Sequence, residues 1–386
     1  MTTSLDAMAR AKLAELDAAS LKRTLVASDR TDGVHIEREG PTLISFCCND
    51  YLNLTHDPRV KAAAHAATER YGVGSGASRL VTGNHPLLPE LEARLARLKG
   101  AEDAVVFGSG YLANLGIIPT LVGPKDLILA DELSHACLLA GRQLSGAASH
   151  LFRHNDAGHL EDVLETHRGS HRRCLILTDG VFSMDGDLAP LPDLVELAER
   201  FDAWLMTDDA HGIGVIGGGR GSTFAFGEKL PVPLQMGTLS KAVGGYGGYI
   251  CASRPVIDLL KTRARTLIYS TGLPPGTVAA AIAALDIIES EPAYCARPVE
   301  NAALFCRTLN LPAAESPIVP LVLGEAETAL AASRMLEAEG FLVTAIRPPT
   351  VPQGTARLRF TFTAKHTEDD ILRLAHLLRD RGLAAA

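Results

Sequence analysis

The stretch WLMTDDAHG, residues 204–212, runs a short apolar segment straight into two carboxylates and an imidazole. An apolar run of this length reads as a strand buried on both faces, and its polar end as the carboxyl edge of a sheet. The same junction recurs on either side. AVVF (104–107) leads into GSGYLAN (108–114), LILA (127–130) into DELSHA (131–136), CLILT (174–178) into DGVFSMDGD (179–187), and LQMG (234–237) into TLSK (238–241). Together with GYICA (248–252), these runs alternate with helical stretches, which predicts a mostly parallel α/β sheet covered on both faces. Ligands bind such sheets outside the carboxyl ends of the strands, so five polar clusters on one edge imply one site.

Outward from that block the pattern changes twice. Residues 1–45 read as a helical and extended segment, with Leu5, Met8, Leu13 and Leu16 striping an amphipathic helix or helix pair over 4–28. Residues 46–275 form the large α/β domain. Residues 276–386 read as a smaller α+β domain, with strands in IVPLVL (318–323), FLVTAI (341–346) and RLRFTFT (357–363). The chain has 386 residues, 47% hydrophobic and 21% charged, which suits a globular protein. A net charge of −8 with no basic tract argues against nucleic-acid or anionic-membrane partners. The longest apolar run, Val278–Ile288, is interrupted by Asp286, so no membrane span is expected. Seven dispersed cysteines without a CxxC pair predict reduced thiols in the cytoplasm, no metal site, and no thiol in the chemistry. The amino terminus lacks the apolar stretch of a signal peptide.

Each polar cluster has a plain reading as caps and turns, and their shared edge is what favours chemistry. A carboxylate buried at Asp208 needs a cationic or hydrogen-bonding partner, which a pyridinium nitrogen supplies. His211 can then reach a ring hydroxyl. Lys241, set between small hydroxyl residues and AVGGYGG (242–248), can approach an aldehyde closely, and desolvation frees its amine for a Schiff base. Gly110 and the amide of Tyr111 open a helix that faces phosphate. His135 can stack on the ring, while Ser183 and Thr238 are small donors for the hydroxyl and the phosphate. A dinucleotide reading of GSGYLAN fails, since that segment carries no GxGxxG and does not lie in an opening βαβ unit.

These residues resemble the α-oxoamine synthases, a family of fold-type I pyridoxal-phosphate enzymes. The similarity runs from about residue 20 onward, through NDYLNL (49–54), GSGASRLVTG (74–83), GSGYLANLG, DELSHA, TDGVFSMDGD, DDAHGIGVIGGGRG (208–221), TLSKAVGGYGG and YSTGLPP (269–275). TAIRPPTVPQGTARLR (344–359) is similar to the members that use a pimeloyl thioester. The resemblance implies a seven-stranded large-domain sheet, pyridoxal 5′-phosphate, and decarboxylative condensation of L-alanine with pimeloyl-CoA or a pimeloyl-carrier protein. A sister activity with glycine or serine and another acyl-CoA is the alternative. It further implies that Lys241 holds the cofactor and takes the Cα proton, that Asp208 serves the pyridinium, and that His135 stacks and orients the acyl donor. Ser270 and Thr271 match positions that reach the partner subunit's phosphate, which makes a homodimer the expected minimum. Asn49 counts among the substrate-binding positions. Arg347 is expected to dock the amino-acid carboxylate with Thr350 beside it, and Arg23 the far carboxylate of the acyl chain. Asn53 stands where the family carries Gly, and Leu88 where it commonly carries His; Asn tolerates left-handed backbone, so the turn is expected to survive.

Overall fold

A capping box opens the first helix: Thr3 Oγ1 accepts from the Asp6 amide, and the Asp6 carboxylate accepts from the Thr3 amide. This helix is α1 (Ser4–Ala18), in a computed structural model that describes residues 3–19, 21–38 and 40–383. Its apolar stripe finds no core among the described residues, since Leu5, Met8 and Leu13 are all exposed. Nor does helix continue toward residue 28. Residues 21–28 are irregular, and Thr24 and Val26 are β-branched, with little helical preference. An antiparallel ribbon of β1 (Asp29–Arg30), β2 (His35–Glu37) and β3 (Thr42–Ser45) follows.

Asp57 caps α2 (Pro58–Tyr71), and α3 (Leu87–Lys99) closes on Gly100 in the left-handed region. The alternating block then runs β4 (Asp103–Phe107), α4 (Gly110–Leu121), β5 (Leu127–Asp131), α5 (Ala136–Ser145), β6 (Ala148–Phe152) and α6 (Ala157–His167). It continues through β7 (Cys174–Asp179), α7 (Leu191–Arg200), β8 (Trp204–Asp208), β9 (Leu234–Thr238) and β10 (Gly248–Ala252). These seven strands form one sheet in the order β4-β10-β9-β8-β7-β5-β6, with β10 antiparallel to both neighbours and the other pairings parallel. The fold is therefore the large mixed sheet of the expected class. Strand β6, absent from the apolar runs read in the sequence, is the edge strand at one end, and only Phe152 of it is buried.

After α8 (Arg254–Arg263) and α9 (Arg265–Ile268), α10 (Pro275–Ser290) lies on α2 and α3. Its Val278, Ile282 and Leu285 join the cluster of Leu91, Leu95 and Val106 under the main sheet. Each such side chain contributes roughly 1.5–3 kcal/mol by burial, so this helix packs as part of the large unit. The remaining elements are α11 (Pro292–Thr308), β11 (Ile318–Gly324), α12 (Ala326–Ala338), β12 (Phe341–Leu342), β13 (Thr344–Ile346), β14 (Ala356–Thr361) and α13 (Glu368–Asp380). Strands β11-β14-β13 form a small antiparallel sheet over Phe305, Phe360 and Phe362. Strand β12 instead pairs in parallel with β3, tying the first ribbon to the carboxyl-terminal unit.

Alternation along β14 decides what comes next. Leu358 and Phe360 point into the small core, so Arg357 and Arg359 point the other way. Arg357 pairs with Asp185, and Arg359 Nε donates to the Ser183 carbonyl, both on the loop after β7. No helix among the described residues is long and apolar enough to cross a membrane.

Candidate active site

The carboxyl ends of β4, β5, β7, β8 and β9 enclose a cavity of about 210 Å³. Gly110, Tyr111, His135, Ser183, Asp208, His211, Thr238 and Lys241 all line it, so the sheet edge brings these candidates to one place. Cys137, Asp179 and Met236 line it as well.

Lys241 stands in the turn after β9, which is closed by the Gly244 amide donating to the Lys241 carbonyl at 2.8 Å. Its Nζ lies 2.7 Å from His211 Nε2. Burial lowers the amine from 10.5 to about 8, against the pull of Asp208 and with help from the Arg359 charge. His211 is itself buried, and burial and the nearby Lys241 hold its imidazole well below the ordinary range, hence neutral.

Asp208 closes β8 at the cavity floor. Oδ2 accepts from Asn114 Nδ2 at 2.7 Å, and Oδ1 from the Ala210 amide at 3.0 Å. It is 5% exposed and has no ion-pair partner among the described residues. A buried carboxylate so placed fits a cationic ring nitrogen. Asp179, in register beside it on β7, keeps Oδ1 without a partner, and burial and the Asp208 charge push its carboxyl well up.

The opposite end of the cavity suits an anion. Ser109 caps α4, accepting from the Leu112 amide at 3.1 Å, and leaves the Gly110 and Tyr111 amides without intrahelical partners. Glycine at 248 is required there, because a Cβ would lie 2.5 Å from the Ser109 carbonyl and 2.6 Å from the Gly110 nitrogen. Thr238 Oγ1 sits 2.7 Å from Ser240 Oγ and donates to the Gly247 carbonyl at 2.7 Å. A floor carboxylate without a cation, an enclosed amine near neutrality and an anion-binding helix start together fit pyridoxal 5′-phosphate.

His135 caps α5: its Nδ1 accepts from the Cys137 amide at 3.3 Å, and its own amide donates to Asp179 Oδ2 at 3.1 Å. Cys137 Sγ lies 2.7 Å from His135 Nδ1 and 3.0 Å from Asn114 Nδ2, so one thiol stands inside the site, which cysteine spacing alone does not reveal. The cause is position: the first turn of α5 packs against Asn114 of α4.

The other expected residues lie elsewhere. Ser270 and Thr271 do not line this chain's cavity; Thr271 is exposed and bridges Ser78. Arg23 Nη2 donates to Thr350 Oγ1 at 3.1 Å, and the Thr350 amide donates to the Arg347 carbonyl at 3.1 Å, gathering those three outside the cavity. Asn49 Oδ1 accepts from both terminal nitrogens of Arg359 at 3.3 Å. Arg359 was not singled out from the sequence. It is 6% exposed, and its charge acts on Lys241, Tyr51 and His211. Asn53 adopts φ +53°, as expected of an Asn in place of Gly.

With this geometry in hand, comparison with known proteins is direct. The pattern of the aminotransferase class I and II family matches residues 41–378. A protein of Parvibaculum lavamentivorans named putative 8-amino-7-oxononanoate synthase is 67% identical over 98% of this chain and 97% of its own. One of Beijerinckia indica named 8-amino-7-oxononanoate synthase is 64% identical over 97% of each. Among solved structures, serine palmitoyltransferase of S. paucimobilis with a bound PLP–myriocin aldimine superposes with a TM-score of 0.91 at 29% identity, covering 97% of each chain. The chain belongs to the class I and II aminotransferase family of fold-type I pyridoxal-phosphate enzymes, as an acyltransferase of its α-oxoamine synthase group. Within that group it stands with the 8-amino-7-oxononanoate synthases.

Proposed function

We propose that this enzyme joins L-alanine to the acyl carbon of a pimeloyl thioester, releasing carbon dioxide and the carrier thiol and yielding 8-amino-7-oxononanoate for biotin synthesis. The observation that carries the reading is the enclosed Lys241 amine, near neutrality, above the unpaired Asp208 carboxylate. Pyridoxal 5′-phosphate, when bound, supplies the aldehyde and the electron-withdrawing ring that acidifies the alanine Cα. Asp208 would hold the ring nitrogen, His211 and Ser183 the ring hydroxyl, and Gly110, Tyr111 and Thr238 the phosphate. His135 would cover the ring face and orient the thioester. A second copy of the chain would contribute Ser270 and Thr271, which is why we place the site in a homodimer.

Lys241 Nζ then takes the Cα proton and later returns one to the product. A guanidinium fork binds a carboxylate through two parallel hydrogen bonds. Arg359, held by Asn49 and the Ser183 carbonyl, suits the alanine carboxylate. The resemblance assigns this role to Arg347, but Arg347 lies with Arg23 and Thr350 and with them suits the far carboxylate of the acyl chain. Seven free cysteines suit a reducing cytoplasm. A sister activity on serine is the second reading, favoured by the close superposition on serine palmitoyltransferase. The test is a product assay with pimeloyl-CoA, pimeloyl-carrier protein and a long-chain acyl-CoA, each with alanine, glycine and serine. Formation of 8-amino-7-oxononanoate with alanine is expected. Turnover only with serine or glycine and another acyl-CoA would overturn the reading.

A further inference from the structure

Tyr51 follows β3 and is fully buried, yet its hydroxyl ends among polar groups. It lies 2.7 Å from His211 Nδ1 and 3.4 Å from Asn49 Oδ1. That Asn49 oxygen already accepts from both terminal nitrogens of Arg359. A carbonyl oxygen offers two lone pairs, so a third and longer donor loses the competition. The hydroxyl proton therefore goes to Nδ1. A neutral imidazole then carries its single proton on Nε2, which faces Lys241 Nζ at 2.7 Å. Nζ can accept that proton's hydrogen bond only as an uncharged amine, because an ammonium has no lone pair.

We infer that Tyr51 is a positioning residue, holding His211 as the Nε2–H tautomer and thereby keeping Lys241 in its unprotonated, nucleophilic form. The charged and titratable groups facing His211 are consistent with a neutral ring: Lys241 from the turn after β9, Arg359 from β14 and His135 from the start of α5. Asp208, on the strand that leads to His211, accepts from Asn114 and the Ala210 amide rather than from the imidazole. Without the phenol, His211 is free to turn its proton to Nδ1 and accept from a protonated lysine instead. The tautomer rests on the chain's own contacts; only its value to catalysis rests on the proposed function.

The test begins with the full-length chain labelled with 15N-histidine and carrying no added cofactor. Nitrogen shifts distinguish the two tautomers, and His211 is assigned by the resonances that vanish in His211→Gln. Measured above about pH 8, where the Lys241 amine is uncharged, the wild type should show Nε2–H, and Tyr51→Phe should lose it. A second readout follows the visible absorbance as pyridoxal phosphate is added across a pH series. Its midpoint should rise in Tyr51→Phe by about one unit, the scale of one hydrogen bond to a titrating group. A wild-type Nδ1–H tautomer, measured without any variant, overturns the inference, as does a Tyr51→Phe protein with unchanged tautomer and midpoint. A tautomer change with no chromophore at any pH would sink the cofactor reading and leave the role of Tyr51 standing.

Discussion

Asp208 and Asp209 are neighbours in the chain and opposites in the fold. Asp209 turns into the seam between β8 and α3, where Lys99 Nζ meets it at 2.6 Å and the Ser222 amide donates to both its oxygens. Neither Lys99 nor Asp209 has any exposed surface. The seam is tight enough that a Cβ at Gly221, which has φ +100°, would overlap Asp209 Oδ2 at 1.7 Å. Asp208 turns the other way, into the cavity, with hydrogen bonds but no cation. One carboxylate is sealed into the framework and the other is left wanting a partner. A buried pair resists the loss of either member, whereas a carboxylate facing a ligand is kept for that ligand. Substitutions on the cavity side should therefore cut activity and spare stability, and those in the seam should do the reverse.

Lys241→Ala is the extreme case on the cavity side. Turnover should fall by roughly 10³-fold or more, within the range for losing a positioned acid–base group, while the urea midpoint does not fall. Burial lowers this amine to about 8, so between there and its ordinary 10.5 the unfolded chain binds more protons than the folded one. Stability of cofactor-free protein should therefore climb with pH across that window, and Lys241→Met should flatten the climb. Denaturation midpoints on either side of the window read it directly.

On the seam side, Lys99→Met strands a buried carboxylate and should cost about 3–5 kcal/mol in urea denaturation, with turnover per folded molecule little changed. If that variant lost activity while keeping its stability, the division between the two carboxylates would collapse. Asp208→Asn should slow deuterium exchange at the alanine Cα by roughly 100-fold, the scale of one preorganised electrostatic partner, with a stability change too small to confuse the two. Smaller effects sharpen the map of the cavity. Arg359→Lys should raise the KM for alanine by about tenfold, or ~1.4 kcal/mol, while Arg23→Ala should raise only that for the thioester. Equal effects of both on one substrate would contradict two carboxylate stations. Cys137→Ser should change least, since a hydroxyl keeps the contact with His135 Nδ1.

What the sequence revealed of all this depended on range. Lys241, Asp208 and His211 were legible because an apolar strand and its polar end are adjacent in the chain. Asn53 was legible because the chemistry of a left-handed turn is local. Arg359 was not, because RLRFTFT reads as a half-buried strand, and its guanidinium gains meaning only where β14 meets the loop holding Ser183. Cys137 escaped for a similar reason: its partner Asn114 belongs to another helix. Strand β6 was missed because ASHLF lacks an apolar run, as an edge strand can. The stripe on α1 promised a buried face that the described residues do not provide.

The pairing of β3 with β12 sets a timetable for synthesis. Strand β3 ends at Ser45, and its parallel partner begins at Phe341. At about 5–20 residues per second, roughly 300 intervening residues keep β3 waiting on the order of 15–60 seconds. All seven strands of the main sheet, ending at Ala252, leave the ribosome within that interval. The ribbon on which Tyr51 and Asn49 follow is thus made early and fixed late, and so is their contact with Arg359. A nascent chain can bring Lys241 and Asp208 into one cavity well before it acquires the guanidinium that holds the Ser183 carbonyl beside it.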